Sequence, residues 1–167
     1  MSIGSNESES ATSGVRDVSR SGVRLFSGAR LRQFRERKKL SVDDLAGLSG
    51  VSRQAISTWE TGRAQPTPGP LLRVAAALQT TVADLVPIPS GEVTVSDLRV
   101  RVGLTQGEAS DGLGISATLL VDIERGRKPL NDSRVDAFAE LYRVPVEEVR
   151  SAWQRAIDTR DARLKSL

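Results

Sequence analysis

The second half of this sequence repeats the first at a constant displacement of 64 residues, without a gap. Identical pairs at this spacing include Arg35 and Arg99, Leu40 and Leu104, Gly50 and Gly114, Ser52 and Ser116, Glu60 and Glu124, Gly62 and Gly126, Arg63 and Arg127, Ala75 and Ala139, and Val82 and Val146. A repeat of this length in one register indicates two copies of a single supersecondary unit. We therefore expect both halves of the chain to adopt the same fold.

Residues 42–61 of the first copy have the pattern of a helix, a tight turn and a second helix. Gly50 lies in the turn, where a positive φ favours glycine, and the Ser52 hydroxyl is placed to cap the second helix. The positions where two crossed helices would touch are apolar or small, namely Leu45, Ala46, Val51, Ile56 and Trp59. This spacing predicts a helix-turn-helix.

The second of these helices carries hydrogen-bonding side chains between its apolar positions, namely Arg53, Gln54, Ser57 and Thr58. Arg and Gln are the side chains that pair bidentately with guanine and adenine edges in the major groove. The pattern indicates a DNA-reading helix, and the alternative is an ordinary solvated helix face.

Charge is distributed unevenly along the chain. Residues 22–90 carry ten Arg and Lys against five Asp and Glu, whereas residues 91–167 carry twelve against thirteen. The positive field therefore belongs to the first copy, where it would attract phosphate and supply part of a non-specific affinity for DNA.

Composition excludes several classes of protein chemistry. The chain has no Cys and no His, and we find no Gly-rich phosphate loop, metal-ligand cluster or nucleophile–base set. We expect neither enzymatic activity nor a metal or cofactor. No run approaches the roughly 18 apolar residues of a membrane span, and residues 1–22 lack the apolar core of a signal peptide. We expect a cytoplasmic protein associated with the nucleoid.

The pattern of the whole chain predicts an all-α protein. We expect a disordered Ser-rich tail at residues 1–22, a first domain at 23–86, a linker at 87–91, a second domain at 92–150 and a terminal helix at 151–167. The first helix is expected to begin near Leu25, and a short fifth helix is expected from Val82 to Leu85.

Both copies resemble the Cro/C1-type helix-turn-helix domains of phage repressors and the wider XRE family of bacterial regulators. The resemblance depends on Gly-Val-Ser and Gly-Ile-Ser at the turns (50–52 and 114–116), and on Trp-Glu-Thr-Gly-Arg and Ile-Glu-Arg-Gly-Arg at 59–63 and 123–127. It implies two tandem five-helix domains of the lambda-repressor type. It also implies a transcriptional regulator that binds double-stranded DNA as a homodimer.

The resemblance further implies two kinds of residue role. Arg35 would pair with Glu60, and Arg99 with Glu124, as buried charges that fix the angle between helices. The DNA-binding residues of the first copy would be Ser41, Ser52, Arg53, Gln54, Ser57, Thr58 and Arg63, with Arg35 giving part of its guanidinium to phosphate. The chain departs from the family at Val42, where a contacting glutamine is usual.

The second copy is less suited to DNA. Its equivalent face consists of Ser116, Ala117, Thr118, Val121 and Asp122, and Asp122 has the wrong charge for phosphate. A secondary set of candidate DNA-binding residues remains, namely Gln106, Thr118, Arg127 and Lys128. We favour a degenerate copy that serves packing or self-association over a second DNA-reading domain.

Two questions stay open at the level of sequence. The terminal helix has Trp153 and Ile157 to bury, either against its own domain or in a symmetric dimer. The preferred function is a sequence-specific DNA-binding regulator. The alternatives are a protein-interaction module of the same fold, such as an antitoxin-like or adaptor protein, and a nucleoid-type protein that coats DNA through charge.

Overall fold

A computed structural model of the chain describes residues 22–167, and the predicted all-α fold is confirmed there: this range contains ten α-helices, one short 3₁₀ helix and no strand. The helices of the first copy are α1 (Gly28–Arg37), α2 (Val42–Ser49), α3 (Arg53–Glu60), α4 (Pro68–Ala77) and α5 (Val82–Leu85). Those of the second are α6 (Val95–Arg101), α7 (Gln106–Leu113), α8 (Ala117–Glu124), α9 (Asp132–Tyr142) and α10 (Val146–Lys165), with the 3₁₀ helix (Ser90–Glu92) between the copies. The disordered tail predicted at residues 1–22 lies, apart from Gly22, outside the described residues.

The helix-turn-helix of the first copy forms as its sequence predicts. Gly50 ends α2 with a φ of 65° in the left-handed region, and the Ser52 hydroxyl accepts a hydrogen bond from the Ala55 N–H at 3.1 Å. Leu45 from α2, with Ile56 and Trp59 from α3, is buried in the first core. The turn and the helix spacing are therefore fixed by residues that the pattern identifies.

The start of the first helix differs from the prediction. Leu25 has a φ of 59° and lies outside the helix, which begins three residues later at Gly28. Ser27 sets this boundary because its hydroxyl accepts a hydrogen bond from the Arg30 N–H at 3.3 Å. The expectation of a start near Leu25 was wrong because apolar residues precede the cap.

The second copy ends in a helix much longer than its counterpart α5. Helix α10 runs without a break across residue 150, so the fifth helix of the copy and the terminal helix are one element. It packs on α9, α6 and α8 and buries Ala152 and Ala156. Trp153 packs against the second core and donates a hydrogen bond from Nε1 to the Lys128 carbonyl at 3.3 Å. Residues 158–167 are exposed.

The two copies pack against each other through unlike surfaces, α4 and α5 of the first meeting α6 of the second. Arg24 donates to both carboxylate oxygens of Asp97, at 3.3 and 2.7 Å, and Asp97 is 5% exposed. Ile88, in the connecting segment, packs against both cores. A contact of this kind is heterologous, so the two domains of one chain are not related as the halves of a symmetric dimer.

None of the helices in the described part of the chain combines the length and the apolar character needed to cross a membrane.

Candidate DNA-binding surface

Helix α3 presents one polar face to solvent because its other face is anchored in the core. Ile56 and Trp59 are buried, which leaves Arg53, Gln54 and Ser57 exposed on the opposite side, next to the exposed cap Ser52. Residues spaced by three and four positions share a helix face, so these side chains form a continuous patch. The structure thus brings together four of the predicted DNA-binding residues.

Thr58 lies at the edge of this patch and is only partly exposed. Its hydroxyl donates a hydrogen bond to the Ala55 carbonyl at 2.9 Å, within its own helix. The oxygen of that hydroxyl can still accept, but its proton is committed to the helix. The structure therefore places Thr58 at the border of the exposed patch.

Arg53 has a partner that sequence patterns did not identify. Its Nε lies 3.2 Å from Oδ1 of Asp43, and the two side chains are 72% and 68% exposed. The pair links the start of α2 to the start of α3. In the sequence, Asp43 lies ten residues before Arg53, and this spacing does not match the period of a helix or a strand.

Ser41 acts as a helix cap. Its N–H and its hydroxyl both donate to Oδ2 of Asp44, at 2.8 and 2.6 Å, and its hydroxyl oxygen accepts from the Asp44 N–H at 3.0 Å. This capping box lowers the pKa of Asp44 through the hydrogen bonds from Ser41. The Ser41 hydroxyl therefore has no free proton for the phosphate contact that we expected. The Ser-x-x-Asp spacing, which is typical of a capping box, could have indicated this.

Arg35 and Glu60 form the predicted pair. The Arg35 Nε and Nη2 donate to the two Glu60 oxygens at 2.7 and 2.9 Å, and Nη1 donates to the Leu40 carbonyl at 2.8 Å. The Glu60 carboxylate raises the pKa of Arg35 mainly through these hydrogen bonds. Since the Arg35 side chain is 11% exposed and all three nitrogens are engaged, the expected additional contact with phosphate has no support in its geometry.

Arg63 follows the turn that ends α3, where Gly62 has a φ of 72°. The Arg63 N–H donates to the Thr58 carbonyl at 2.9 Å, which fixes the backbone of the turn. The Arg63 side chain is exposed and forms no ion pair within residues 22–167. Arg63 thus extends the exposed patch on α3 with a cation that is free to contact phosphate.

Several polar side chains of the second copy form hydrogen bonds or ion pairs within their own domain. The predicted Arg99–Glu124 pair is present, with Nε and Oε1 at 2.6 Å, and Gln106 donates to the other Glu124 oxygen at 2.9 Å. Arg127 forms an ion pair with Asp122, with Nη1 and Oδ1 at 3.6 Å. Two of the four secondary candidates, Gln106 and Arg127, are therefore engaged internally.

The other two secondary candidates, Thr118 and Lys128, have exposed side chains. The backbone beside Lys128, however, is covered by α10. Arg160 donates to the Gly126 carbonyl at 3.2 Å, and a Cβ added at Gly126 would meet the Ile157 nitrogen at 2.7 Å. At Gly62, by contrast, an added Cβ would have no heavy atom within 4 Å. The turn that is open in the first copy is closed in the second.

A family model described as a helix-turn-helix domain matches residues 28–87 and, a second time, residues 94–152. The chain belongs to the helix-turn-helix domain family. The two matches account for most of the chain and coincide with the tandem helix-turn-helix domains of the structure. Comparison with curated proteins and comparison with solved structures each gave no match. Helix-turn-helix domains of this kind bind DNA, and the narrower resemblance to the XRE family stays a prediction.

No three acidic side chains of the described range come close enough to hold a metal ion, and the sequence has neither His nor Cys. The candidate surface therefore consists of hydrogen-bonding and charged side chains.

Proposed function

We propose that this chain is a sequence-specific, DNA-binding transcriptional regulator of the XRE type that places α3 of its first helix-turn-helix domain in the major groove. The observation that carries the proposal is the exposed face of α3, where Gln54 and Ser57 are open to solvent and Arg53 is the first helical residue. Arg53 and Gln54 would contact base edges, because their side chains match guanine and adenine. Ser52, Ser57 and Arg63 would contact the phosphate backbone and hold the helix in register.

We also propose that the protein binds DNA as a homodimer. Within one chain the two domains pack by unlike surfaces, and only the first has Arg and Gln at the exposed start of its recognition helix. A single domain of this size makes few contacts, whereas two chains related by a two-fold axis would read two inverted half-sites. The role is that of a binding protein of the nucleoid, without enzymatic activity.

The proposal is tested by selecting binding sites for the full-length protein from random duplex DNA at near-physiological salt. We expect one defined motif with inverted half-sites. Arg53→Ala and Gln54→Ala should each cost about 1–3 kcal/mol on the selected site and relax the preference at one base pair. Thr118→Ala, the α8 position equivalent to Gln54, is the matched control and should leave binding unchanged.

Two results would contradict this function. Equal weakening of selected and random duplexes by Arg53→Ala would exclude base reading and favour a protein that coats DNA through charge. The absence of any enriched sequence, from a folded protein, would favour the alternative that the fold serves as a protein-interaction module. The contacts of Gln106 with Glu124 and of Arg127 with Asp122 favour that alternative for the second domain only.

A further inference from the structure

The ion pair between Asp43 and Arg53 joins the two helices of the first helix-turn-helix at their exposed edge. Asp43 is in the first turn of α2 and Arg53 is the first residue of α3. Both side chains are more than two-thirds exposed, and pairs of this kind add little to folding stability because water screens them. The pair therefore calls for an explanation other than stability.

The Asp43 carboxylate approaches the guanidinium of Arg53 from the side of Nε. The closest approach is between Nε and Oδ1 at 3.2 Å, and the terminal nitrogens Nη1 and Nη2 donate no hydrogen bond within residues 22–167. An arginine can donate in parallel to O6 and N7 of guanine through its terminal nitrogens, provided that the side chain is ordered. A carboxylate at Nε restricts the rotamers of a long side chain, and so reduces the entropy that is lost when the base contact forms.

We propose that Asp43 is a specificity-determining residue that positions the Arg53 guanidinium for guanine in the major groove. The inference rests on the function proposed above. Asp43 itself would touch no base. Its charge also opposes the approach of phosphate to this corner of the domain, so that Arg53 is directed toward the base and away from the backbone.

The second copy supports this division of roles. The residues equivalent to Asp43 and Arg53 are Gly107 and Ala117, so both members of the pair are missing there. The buried pair Arg35–Glu60, which serves packing, is instead present in both copies, as Arg99–Glu124 in the second. The Asp43–Arg53 pair thus occurs only in the domain whose recognition helix also carries Gln54, where α8 has Thr118.

The test compares Asp43→Asn with the parent protein on the selected site and on sites altered at the base pair that Arg53→Ala relaxes. We expect Asp43→Asn to reduce discrimination at that base pair about two- to fivefold, the range that exposed ion pairs support, without weakening binding to random duplex. Asp43→Glu keeps the carboxylate and should retain most of the discrimination.

The chain offers a matched control in Glu36→Gln. Glu36 forms a similarly exposed pair with Arg32 on α1, with Arg32 Nε and Glu36 Oε1 at 2.8 Å, and the substitution removes the same charge. We expect Glu36→Gln to leave the base preference unchanged. Far-UV circular dichroism and thermal unfolding of each variant separate a loss of discrimination from a loss of folding.

The inference is overturned if Asp43→Asn changes affinity for all duplexes by the same factor and leaves the base preference intact, because Asp43 would then act only as a charge. In that case the proposed function is still supported if the parent protein selects a motif and Arg53→Ala relaxes the preference at one base pair. If the parent selects no sequence, the proposed function and the role of Asp43 both fail.

Discussion

The two helix-turn-helix domains share one fold and differ in what their polar side chains contact. In the first, Arg63 forms no ion pair within residues 22–167, whereas in the second the equivalent Arg127 pairs with Asp122 and Gln106 donates to Glu124. The buried Arg–Glu pair and the glycine turn are the same in both. The parts that build the fold are therefore retained in the second domain, whereas Arg53 and Gln54, the residues proposed to read bases, are replaced there by Ala117 and Thr118.

The difference extends to the turn after each recognition helix. Gly62 is open to solvent, whereas the backbone of Gly126 lies against α10 near Ile157. The C-terminal extension thus occupies a surface that is open in the first domain. Packing of α10 on its own domain also accounts for Trp153, which needs no dimer partner for its partial burial.

The largest effect is expected from alanine at these two glycines. Both have positive φ, which costs an L-residue roughly 1–2 kcal/mol, and Gly62→Ala should lower the free energy of unfolding by about that amount. Gly126→Ala should cost about 1–3 kcal/mol more, because its Cβ would meet backbone atoms of α10 at 2.7–2.8 Å. Urea unfolding of both variants measures the difference. Equal losses would mean that α10 does not press on this turn.

A second difference lies in the cores. Tyr142 of α9 is 1% exposed and its hydroxyl has no hydrogen-bond partner within residues 22–167, whereas the equivalent residue of the first domain is the buried Leu78. Burial raises the pKa of Tyr142, and the nearby Glu124 raises it further while Arg99 lowers it. The hydroxyl is therefore a cost to the second core that the first core avoids.

Tyr142→Phe should raise the free energy of unfolding by about 1–3 kcal/mol, because a buried polar group without a partner is removed. Because the pKa of Tyr142 is raised in the folded state, burial opposes ionisation, so the folding stability of the parent is unaffected by the titration of this group below about pH 10, the pKa of an unfolded tyrosine, and falls as the pH rises further. The parent should thus lose more stability between pH 7 and 10.5 than the variant. Chemical denaturation at both pH values measures this. A destabilised Tyr142→Phe variant would show that the hydroxyl has a bonding partner.

Much of the fold could be predicted because it depends on short local patterns. The glycine in each turn and the Ser52 cap act over a few residues, and the turn fixes which faces of α2 and α3 meet. The 64-residue repeat extends the same prediction to the second domain. The Arg35–Glu60 and Arg99–Glu124 pairs were also predicted, from the family resemblance. The exposed face of α3 follows from the same spacing, since Ile56 and Trp59 must be buried.

The rest could not be predicted because it depends on side-chain partners brought together by packing. No regular spacing relates Asp43 to Arg53, or Gln106 to Glu124, and each pair depends on how two helices cross. The position of α10 over Gly126 requires the whole second domain to be assembled. Sequence therefore identified the residue types of the site, and the structure shows which of them are free.

The smallest effects are expected on DNA affinity, where the two domains are compared through Arg63 and Arg127. Arg63→Ala should weaken binding to all sequences alike and reduce the slope of log affinity against log salt by about one, because one phosphate contact is lost. Arg127→Ala should change neither quantity, because Asp122 already neutralises the arginine and α10 covers the adjacent backbone. Titrations of duplex DNA at several salt concentrations measure both. If Arg127→Ala reduced the salt slope as much as Arg63→Ala, the second domain would also lie on DNA, and its ion pair with Asp122 would have to open on binding.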